Sequence, residues 1–297
     1  MIPYPDLIKA ALTADALSLG PHWIYNQAEL AKAYPDGVRF LTGPLSKYHP
    51  EKSAGDLTHY GDIVALMLLT VSEHGSWDSE IFVSRWKKFW SDTSSYQDGA
   101  TRETLSHLED PNLPTSTSND IAGASIALAL IGLIGSEDDS ALIASVRGQT
   151  SFAHRDPETI DAAEFFTRVV LRLRSGDPLT KALDQAASAD YGTLKAGHGL
   201  DKAKKSLTSA SPLKAAADFG LSCHTPDAFP LVLYYLLRHP ADIGAALSEN
   251  ASAGGDNAAR AIIIAIVLTE ANGWDAGLEE LWLGVKQRPE CEKALAS

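Results

Sequence analysis

Apolar residues recur at helical spacing through almost the whole chain, and this pattern limits the choice of fold more than any other feature. It is clearest in Asp6–Leu19, Asp62–Glu73, Asn119–Ile134 and Asp256–Ala271, where apolar residues share one helix face or form unbroken runs. Most such segments begin near Asp, Asn, Ser or Pro, which are typical of helix N-termini. No alternating β-branched run bounded by turn dipeptides is present. The sequence therefore predicts an all-α fold of about a dozen helices.

The size and composition are those of one large folded unit. The chain has 297 residues, of which 45% are hydrophobic and 21% are charged, so bulk disorder is not expected. A chain of this size buries roughly three quarters of the surface that it exposes when unfolded. No shift in composition and no internal repeat marks a boundary, so we expect one compact multi-helix domain over residues 1–297. Tyr34–Leu57 is predicted to be a long surface loop of the kind that borders a site.

The charge balance limits the classes of partner. The 25 Lys and Arg residues and 38 Asp and Glu residues give a net charge of −13, which argues against nucleic acid or an anionic membrane as the main partner. A phosphorylated ligand is still compatible, because a single helix N-terminus can hold a phosphate. We find no membrane-spanning apolar run, no signal-peptide pattern and only two cysteines, Cys223 and Cys291, so we expect a cytoplasmic protein.

Four acidic residues lie in or at the start of helices that are otherwise apolar: Asp15, Asp62, Asp120 and Asp256. A buried carboxylate is costly unless it is paired, caps a helix or binds a metal. Capping alone would explain three of them, but Asp15 lies in the middle of its helix. Four such acids in one chain favour a shared polar site.

The surroundings of these acids leave two interpretations open. Gly61 and Gly254–Gly255 precede Asp62 and Asp256 and would let a ligand approach the backbone closely. Arg260 is four residues after Asp256, so the two share a helix face. They form either an ion pair within the helix or a pair presented to a ligand, with Arg260 holding a phosphate or carboxylate.

Three histidines stand out, each with a structural and a functional interpretation. His22 precedes Trp23 after a helix-ending Gly-Pro, His154 precedes a helix, and His224 adjoins Cys223. Each histidine could belong to a loop or the core, or line a cleft. Cys223 beside His224 suggests a thiolate, although adjacent residues seldom point at one another. No His/Cys pair has zinc spacing.

Seven motifs in this order resemble the ADP-ribosylglycohydrolase family, and within it the branch that contains the jellyfish J-type lens crystallins: ADALSLGPHWIYN, HYGDIVALMLL, SYQDGATRETL, SNDIAGAS, FAHRD, FGLSCHTPDAFP and AGGDNAARA. The resemblance extends from about residue 6 to Trp282. It implies a compact, single-domain, all-α fold. In active members, a T-D-D-T motif and a late D-T/A-D-T motif hold two magnesium ions in a central cleft, where a bond to C1 of ADP-ribose is hydrolysed.

The resemblance carries only part of the magnesium site over to this chain. The first motif falls on Gly61-Asp62-Ile63-Val64 and the second on Asp256-Asn257-Ala258-Ala259. Asp62 and Asp256 match, and Asp15 matches the Asp of the family's G-D-A-L-G-x-x-x-E pattern, whereas the acid expected near His22–Asn26 is missing. Because Mg²⁺ requires six oxygens in near-octahedral array, we expect the magnesium at Asp62 and Asp256 to be weakly bound or lost.

The first functional hypothesis is hydrolysis of a glycosidic bond to ADP-ribose or a related ribosyl compound. Asp62 and Asp256 would flank the anomeric carbon, one of them activating water, and Asp15 or Asp120 would support the catalytic network. The ligand would be a small ribosyl or nucleotide compound, or an ADP-ribosylated protein. The residues expected to bind it are His22, Trp23, Tyr60, Gly61, Asp120, His154, Gly255, Asn257 and Arg260.

Two further hypotheses belong to other classes. Loss of most metal ligands suggests a non-catalytic relative, either a crystallin-like structural protein or a nucleotide-binding module. A weaker alternative is a different enzyme that reuses the cleft through Cys223 or His224.

Overall fold

The chain folds into helices joined by short turns and a few longer loops. The computed structural model describes residues 2–135, 138–208 and 211–297, and within these ranges it contains helices and one isolated β-bridge but no strand. The all-α prediction is therefore confirmed. In chain order, the helices are α1 (Pro5–Ser18), α2 (Gln27–Ala33), α3 (His59–His74), α4 (Ser79–Asp92), α5 (Gly99–Glu109), α6 (Ala122–Leu128), α7 (Leu130–Ile134), α8 (Asp139–Ala153), α9 (Pro157–Arg174), α10 (Leu179–Ala187), α11 (Ala196–Ser206), α12 (Pro212–Phe219), α13 (Thr225–Arg238), α14 (Ile243–Ala253), α15 (Asn257–Asn272), α16 (Ala276–Leu283) and α17 (Arg288–Leu295).

The described residues contain more helices than the dozen expected, for two reasons. The segment Asn119–Ile134 divides into α6 and α7 at Ala129. Helices α2, α5, α12 and α17 were not predicted; each buries only one to three side chains, so its apolar face is small.

The centre of the core is the pair formed by α1 and α15, which make the most extensive contact between any two helices described. Helix α15 is buried from Asn257 to Thr269, and α1 is buried over nearly all of Leu7–Ser18. Both helices are apolar around most of their circumference because other helices surround them. Helices α6, α9, α13 and α14 pack on α15, while α3 and α16 pack on α1.

Several loops meet beside the N-terminus of α15, and backbone hydrogen bonds join them. The Trp23 N–H donates to the Gly255 carbonyl at 2.9 Å, and the Gly255 N–H donates to the Ile24 carbonyl at 2.8 Å. The Asp256 N–H donates to the Leu221 carbonyl at 3.0 Å. The loop after α1, the loop before α13 and the first turn of α15 are thereby fixed around one point.

The segment between α2 and α3 is irregular, as predicted, but it is not confined to the surface. Its side chains at His49 and Leu57 are fully buried, whereas Phe40 is 72% exposed. This segment therefore delivers side chains into the interior beside α1 and α3. Throughout the described ranges, every helix is too short or too polar to traverse a lipid bilayer.

Candidate functional site

Asp15 caps the N-terminus of a neighbouring helix. Its fully buried carboxylate accepts hydrogen bonds from the Thr58 N–H at 2.7 Å, the Thr58 hydroxyl at 2.6 Å and the Gly61 N–H at 3.2 Å. Thr58 is the N-cap residue of α3, so the carboxylate lies at the positive end of that helix. The expectation that capping could not explain Asp15 is wrong, because the capped helix is a different one. Burial raises the pKa of Asp15 to about 6, although the Thr58 hydrogen bonds lower it.

Three glycines near the acids make room for the protein's own atoms. A Cβ atom on Gly61 would lie 2.2 Å from Asp15 Oδ2. Cβ atoms on Gly254 and Gly255 would lie 2.3 Å and 2.1 Å from backbone carbonyl oxygens, and both residues have a positive φ. The expectation that Gly61 and Gly255 admit a ligand to the backbone is therefore wrong, because that space is filled.

Asp62 is bound by a lysine from the irregular segment before α3. Its carboxylate pairs with the Lys52 ammonium and accepts a hydrogen bond from the Ser95 hydroxyl at 2.8 Å. Asp62 does not cap α3, because the helix begins at His59 and Thr58 caps it. Burial raises the pKa of Asp62, and Lys52 partly offsets this effect.

Asp120 and Asp256 are brought together at the hydroxyl of Tyr60. The Tyr60 Oη lies 3.4 Å from Asp120 Oδ2 and 3.2 Å from Asp256 Oδ2. Cys223 completes the group, since one potential ligand atom from each of Asp120, Cys223 and Asp256 lies within 4.8 Å of the others. The β-bridge between Asp120 and His224 fixes the Asp120 backbone beside this loop. Residues from α3, the start of α6 and the start of α15 thus form one polar group.

The two carboxylates differ in their remaining contacts. Asp120 Oδ1 accepts the Ala122 N–H at 2.8 Å, so capping explains part of its position. Asp256 is at the N-cap position of α15, but its side chain makes no capping hydrogen bond. Its Oδ1 lies 3.7 Å from His22 Nδ1 and has no hydrogen-bond partner among the described residues. Capping therefore does not explain Asp256, which presents a free buried oxygen.

Burial and mutual repulsion raise the pKa of both carboxyl groups. The pKa of Asp120 is raised well above its usual value by burial and by the charge of Asp256. Burial raises the pKa of Asp256 to about 6, while the Arg260 charge lowers it. Two close carboxylates in a buried site hold one proton more readily than two negative charges. The pair therefore favours a state in which one carboxyl group is protonated and the other is ionised.

Arg260 is fully buried and is held by neutral groups. Its Nε donates to Asn250 Oδ1 at 2.9 Å and its Nη2 donates to the Gly254 carbonyl at 2.6 Å. Among the described residues it makes no direct ion pair with Asp256, so it is not the predicted ion-pair partner, and its Nη1 has no hydrogen-bond partner there. Asn257 also serves the interior, since its amide donates to the Ser18 carbonyl at 3.2 Å. Arg260 therefore fixes the turn between α14 and α15.

His22 and Trp23 belong to a cluster of stacked rings. The two rings stack with centroids 4.4 Å apart, and Trp23 also stacks on His49 at 5.5 Å. Tyr48 and Tyr96 meet Trp23 edge-on at 5.0 Å and 5.1 Å. Trp23 has a φ of 60°, which is strained for a bulky residue and is held by its hydrogen bond to Gly255. Its ring thus already packs against side chains of this protein.

His154 lies against the first turn of α6. It lines a small internal cavity with His59, Tyr60 and Asp98. It packs on Gly123, where a Cβ atom would lie 2.5 Å from the imidazole Cγ. Burial lowers the pKa of His154. This position favours a structural interpretation of His154 over contact with a ligand.

Cys223 and His224 do not form a reactive pair. Burial and the nearby carboxylates raise the pKa of the Cys223 thiol far above its usual value, so the thiolate is disfavoured. His224 is exposed, and its Nδ1 lies 2.6 Å from Asn119 Oδ1. The geometry therefore gives no support to a thiolate enzyme.

Sequence reasoning missed several side chains around the site. Lys52 and His49 come from the irregular segment, which carries no periodic signal. Asp98 Oδ2 lies 3.7 Å from His59 Nε2; burial would raise the Asp98 pKa, but the nearby His59 and His154 lower it below its usual value. Tyr25 is 54% exposed; partial burial raises its pKa, and the nearby charges of Asp256 and Asp120 raise it further. The only signal for Tyr25 in the sequence was its place in the motif that contains His22 and Trp23.

The residues present do not form an oxygen-rich set for two magnesium ions. Apart from Asn257, the other positions of the two motifs carry Gly, Ile, Val and Ala, which offer no side-chain oxygen. Within the described chain, Asp62 and Asp256 have separate partners: Lys52 and Ser95 hold the first, and the second faces Tyr60 and His22. The Lys52 ammonium and the Ser95 hydroxyl both contact Asp62 Oδ2, so a positive charge already lies on one of the oxygens that the magnesium pattern would use.

Comparisons with known proteins agree on the fold. A family model described as ADP-ribosylglycohydrolase matches residues 8–296. A solved structure described as "ADP-ribosylglycohydrolase-related protein complex" has a TM-score of 0.72 and 16% sequence identity, with 98% of this chain and 95% of that chain covered. No curated protein shows significant sequence similarity to the chain.

Proposed function

Because the chain belongs to the ADP-ribosylglycohydrolase family, we propose that it hydrolyses a glycosidic bond to the ribose of ADP-ribose or a related ribosyl compound. Family membership supports a hydrolase-type function. The observation that supports the choice of residues is the buried pair of Asp120 and Asp256, bridged by the Tyr60 hydroxyl, with one Asp256 oxygen unpartnered.

The pair divides the acid and base roles between its members. Asp256 accepts a proton from water through its free oxygen as the water attacks C1 of the ribose. Asp120, in its protonated form, donates its proton to the leaving group as the bond from C1 breaks. A proton then passes from Asp256 to Asp120 through the Tyr60 hydroxyl, which restores the starting state. The roles of Asp62 and Asp15 are to position the segment and helix that carry Tyr60.

We propose that this reaction does not use the two magnesium ions of the family pattern. The Lys52 ammonium on Asp62 and the apolar residues at the lost ligand positions support this view. We also propose that the chain belongs to the J-type crystallin branch, which the GGDN…R pattern over residues 254–260 supports. The ligand is then a small ribosyl or nucleotide compound, or an ADP-ribosylated protein.

The test is release of ADP-ribose from a panel of N- and O-linked ADP-ribosyl compounds, measured by chromatography with magnesium omitted. The wild type should turn over at least one compound, and Asp256→Asn and Asp120→Asn should each lose about 10²–10⁴-fold in kcat while remaining folded. Asp184→Asn, on the exposed face of α10, is the matched control. Full activity in Asp256→Asn would refute the assignment.

A second candidate is the non-catalytic relative, which the lost metal-ligand positions favour. Titration calorimetry with ADP-ribose distinguishes a nucleotide-binding module from a crystallin-like structural protein. Binding without release from any compound would support a nucleotide-binding module, and neither binding nor release would support a crystallin-like structural protein.

A further inference from the structure

Three imidazoles from separate parts of the chain meet in the interior. His22 follows α1, His49 belongs to the segment between α2 and α3, and His59 begins α3. Their ring centroids lie 5.6 Å apart for His22 and His49, 5.3 Å for His49 and His59, and 6.1 Å for His22 and His59. His22 and His49 are fully buried, and His59 is 2% exposed. Histidines are uncommon in full burial, so a group of three requires an explanation.

Most nitrogens of this group have no hydrogen-bond partner within the described chain. They are His22 Nε2 and both ring nitrogens of His49 and of His59. A buried polar atom without a partner costs free energy, and such atoms are rare in folded proteins. Five in one small volume indicate that the group has a partner of its own.

Two of the rings are oriented as metal-binding histidines are. The His22 Nδ1–H donates to Asn257 Oδ1 at 3.0 Å, which leaves the Nε2 lone pair free. His59 Nε2 lies 3.7 Å from Asp98 Oδ2, so its Nδ1 faces away from that carboxylate. In metal sites, the second nitrogen of a ligating histidine is typically held by such a carboxylate or carbonyl oxygen.

We propose that His22, His49 and His59 bind one transition-metal ion of the zinc class, with one nitrogen from each ring and a fourth position open. One nitrogen of each residue lies within 4.8 Å of those of the other two. Zinc–nitrogen bonds of about 2.0–2.1 Å require these atoms to approach a little further. His49 lies in the irregular segment and can supply that movement.

The donor set selects the class of ion. Three neutral imidazoles suit zinc, cobalt, nickel or copper, whereas magnesium and calcium require oxygen ligands. The charged groups that face the cluster are of both signs. Asp98 and Asp256 lie 3.7 Å from His59 and His22, while Lys52 and Arg260 are the positive groups whose charges act on His49 and His22. The two carboxylates therefore offset the charge of the ion.

This site is distinct from the family's carboxylate pattern and does not depend on the proposed hydrolysis. It shares the region with the Asp120, Cys223 and Asp256 group, which is a competing set of ligands. The experiment must therefore separate histidine ligation from thiolate ligation, and it must do so without measuring activity.

The full chain is first treated with a chelator, which is then removed by gel filtration. This protein is titrated with Zn²⁺ by calorimetry and with Co²⁺ by absorption spectroscopy. The wild type should bind one equivalent, with visible cobalt bands of a low-symmetry nitrogen site and no thiolate charge-transfer band. His49→Gln should weaken binding by more than about 100-fold, because even outer-shell changes cost 10–100-fold. His49→Ala provides a second variant, and circular dichroism establishes that each is folded.

Two controls decide the assignment. His198→Ala removes an exposed histidine on α11, and Cys223→Ser removes the thiol of the competing group; both should bind like the wild type. The proposal is overturned if the folded wild type binds no stoichiometric ion, if His49→Gln binds normally, or if Cys223→Ser alone abolishes binding. The first result would mean that the three rings only pack against one another and Trp23.

Discussion

The close approach of Asp15 to Gly61 predicts that Gly61→Ala destabilises the protein. The new methyl group would lie 2.2 Å from Asp15 Oδ2 and 2.5 Å from Asp15 Cγ, whereas an ordinary contact is about 3.5 Å. Asp15 cannot withdraw freely, because Thr58 and the Gly61 N–H hold its carboxylate.

The magnitude follows from three competing effects. Breaking one hydrogen bond to a buried charge costs about 1.5–3 kcal/mol, and overpacking between α1 and α3 costs about 1–3 kcal/mol. The higher helix propensity of alanine returns about 1 kcal/mol. We therefore expect Gly61→Ala to lower the free energy of unfolding by about 3 kcal/mol.

Urea denaturation followed by far-ultraviolet circular dichroism measures this change. The matched control is Gly148→Ala in α8, where an added Cβ atom meets nothing within 4 Å. That variant should be more stable than the wild type by about 0.5–1 kcal/mol. Gly→Ala should thus lower the free energy of unfolding at position 61 and raise it at position 148.

A double-mutant cycle identifies the cause. In an Asp15→Ala background the obstruction is gone, so Gly61→Ala should be close to neutral or stabilising, with a coupling energy of about 2 kcal/mol or more. A Gly61→Ala variant as stable as the wild type would refute the reasoning, because it would mean that the Asp15 carboxylate does not occupy this space.

Three further predictions concern the same region. The pKa of Asp15 is raised to about 6 in the folded state. Its neutral form therefore contributes stability that is fully present below about pH 4 and is lost as the pH rises through 6. In urea denaturation, the free energy of unfolding of the wild type should exceed that of Asp15→Asn by about 2 kcal/mol more at pH 4 than at pH 7. Arg260→Met should lower the free energy of unfolding by about 2–4 kcal/mol, because it leaves Asn250 Oδ1 and the Gly254 carbonyl unpaired; unchanged urea stability would contradict that role. Native Cys223 should react with iodoacetamide at pH 8 far more slowly than it does in the urea-unfolded chain, because its pKa is raised, and equal rates by mass spectrometry would show an accessible thiolate.

The helical architecture is predictable from sequence wherever burial leaves a periodic signal. Helices α1 and α15 are buried on nearly every face, and their apolar runs are correspondingly clear. Helix α2 buries only Leu30, and its sequence does not differ visibly from that of a polar loop. Prediction fails there because the helix is stabilised by its Asn26 cap and tertiary context rather than by a continuous apolar stripe.

The candidate site is predictable in part. The sequence identifies four acids in or beside apolar helices, each of which needs a partner. It does not show which partner each acid has. Asp15 caps α3, Asp62 pairs with Lys52, and only Asp120 and Asp256 come together. These partners are distant in sequence, so their identity depends on how the helices pack. His49 gave no signal, because a histidine in an irregular segment has no periodicity to reveal that it is buried.

The irregular segment between α2 and α3 has a consequence for how such a site diversifies. It carries both Lys52, which neutralises Asp62, and His49, which joins the imidazole group. Helix α3 positions Asp62, whereas the irregular segment supplies the ammonium group that pairs with it. Exchange of this short segment would therefore change which cationic group lies beside Asp62, with no change to the helix that carries the acid.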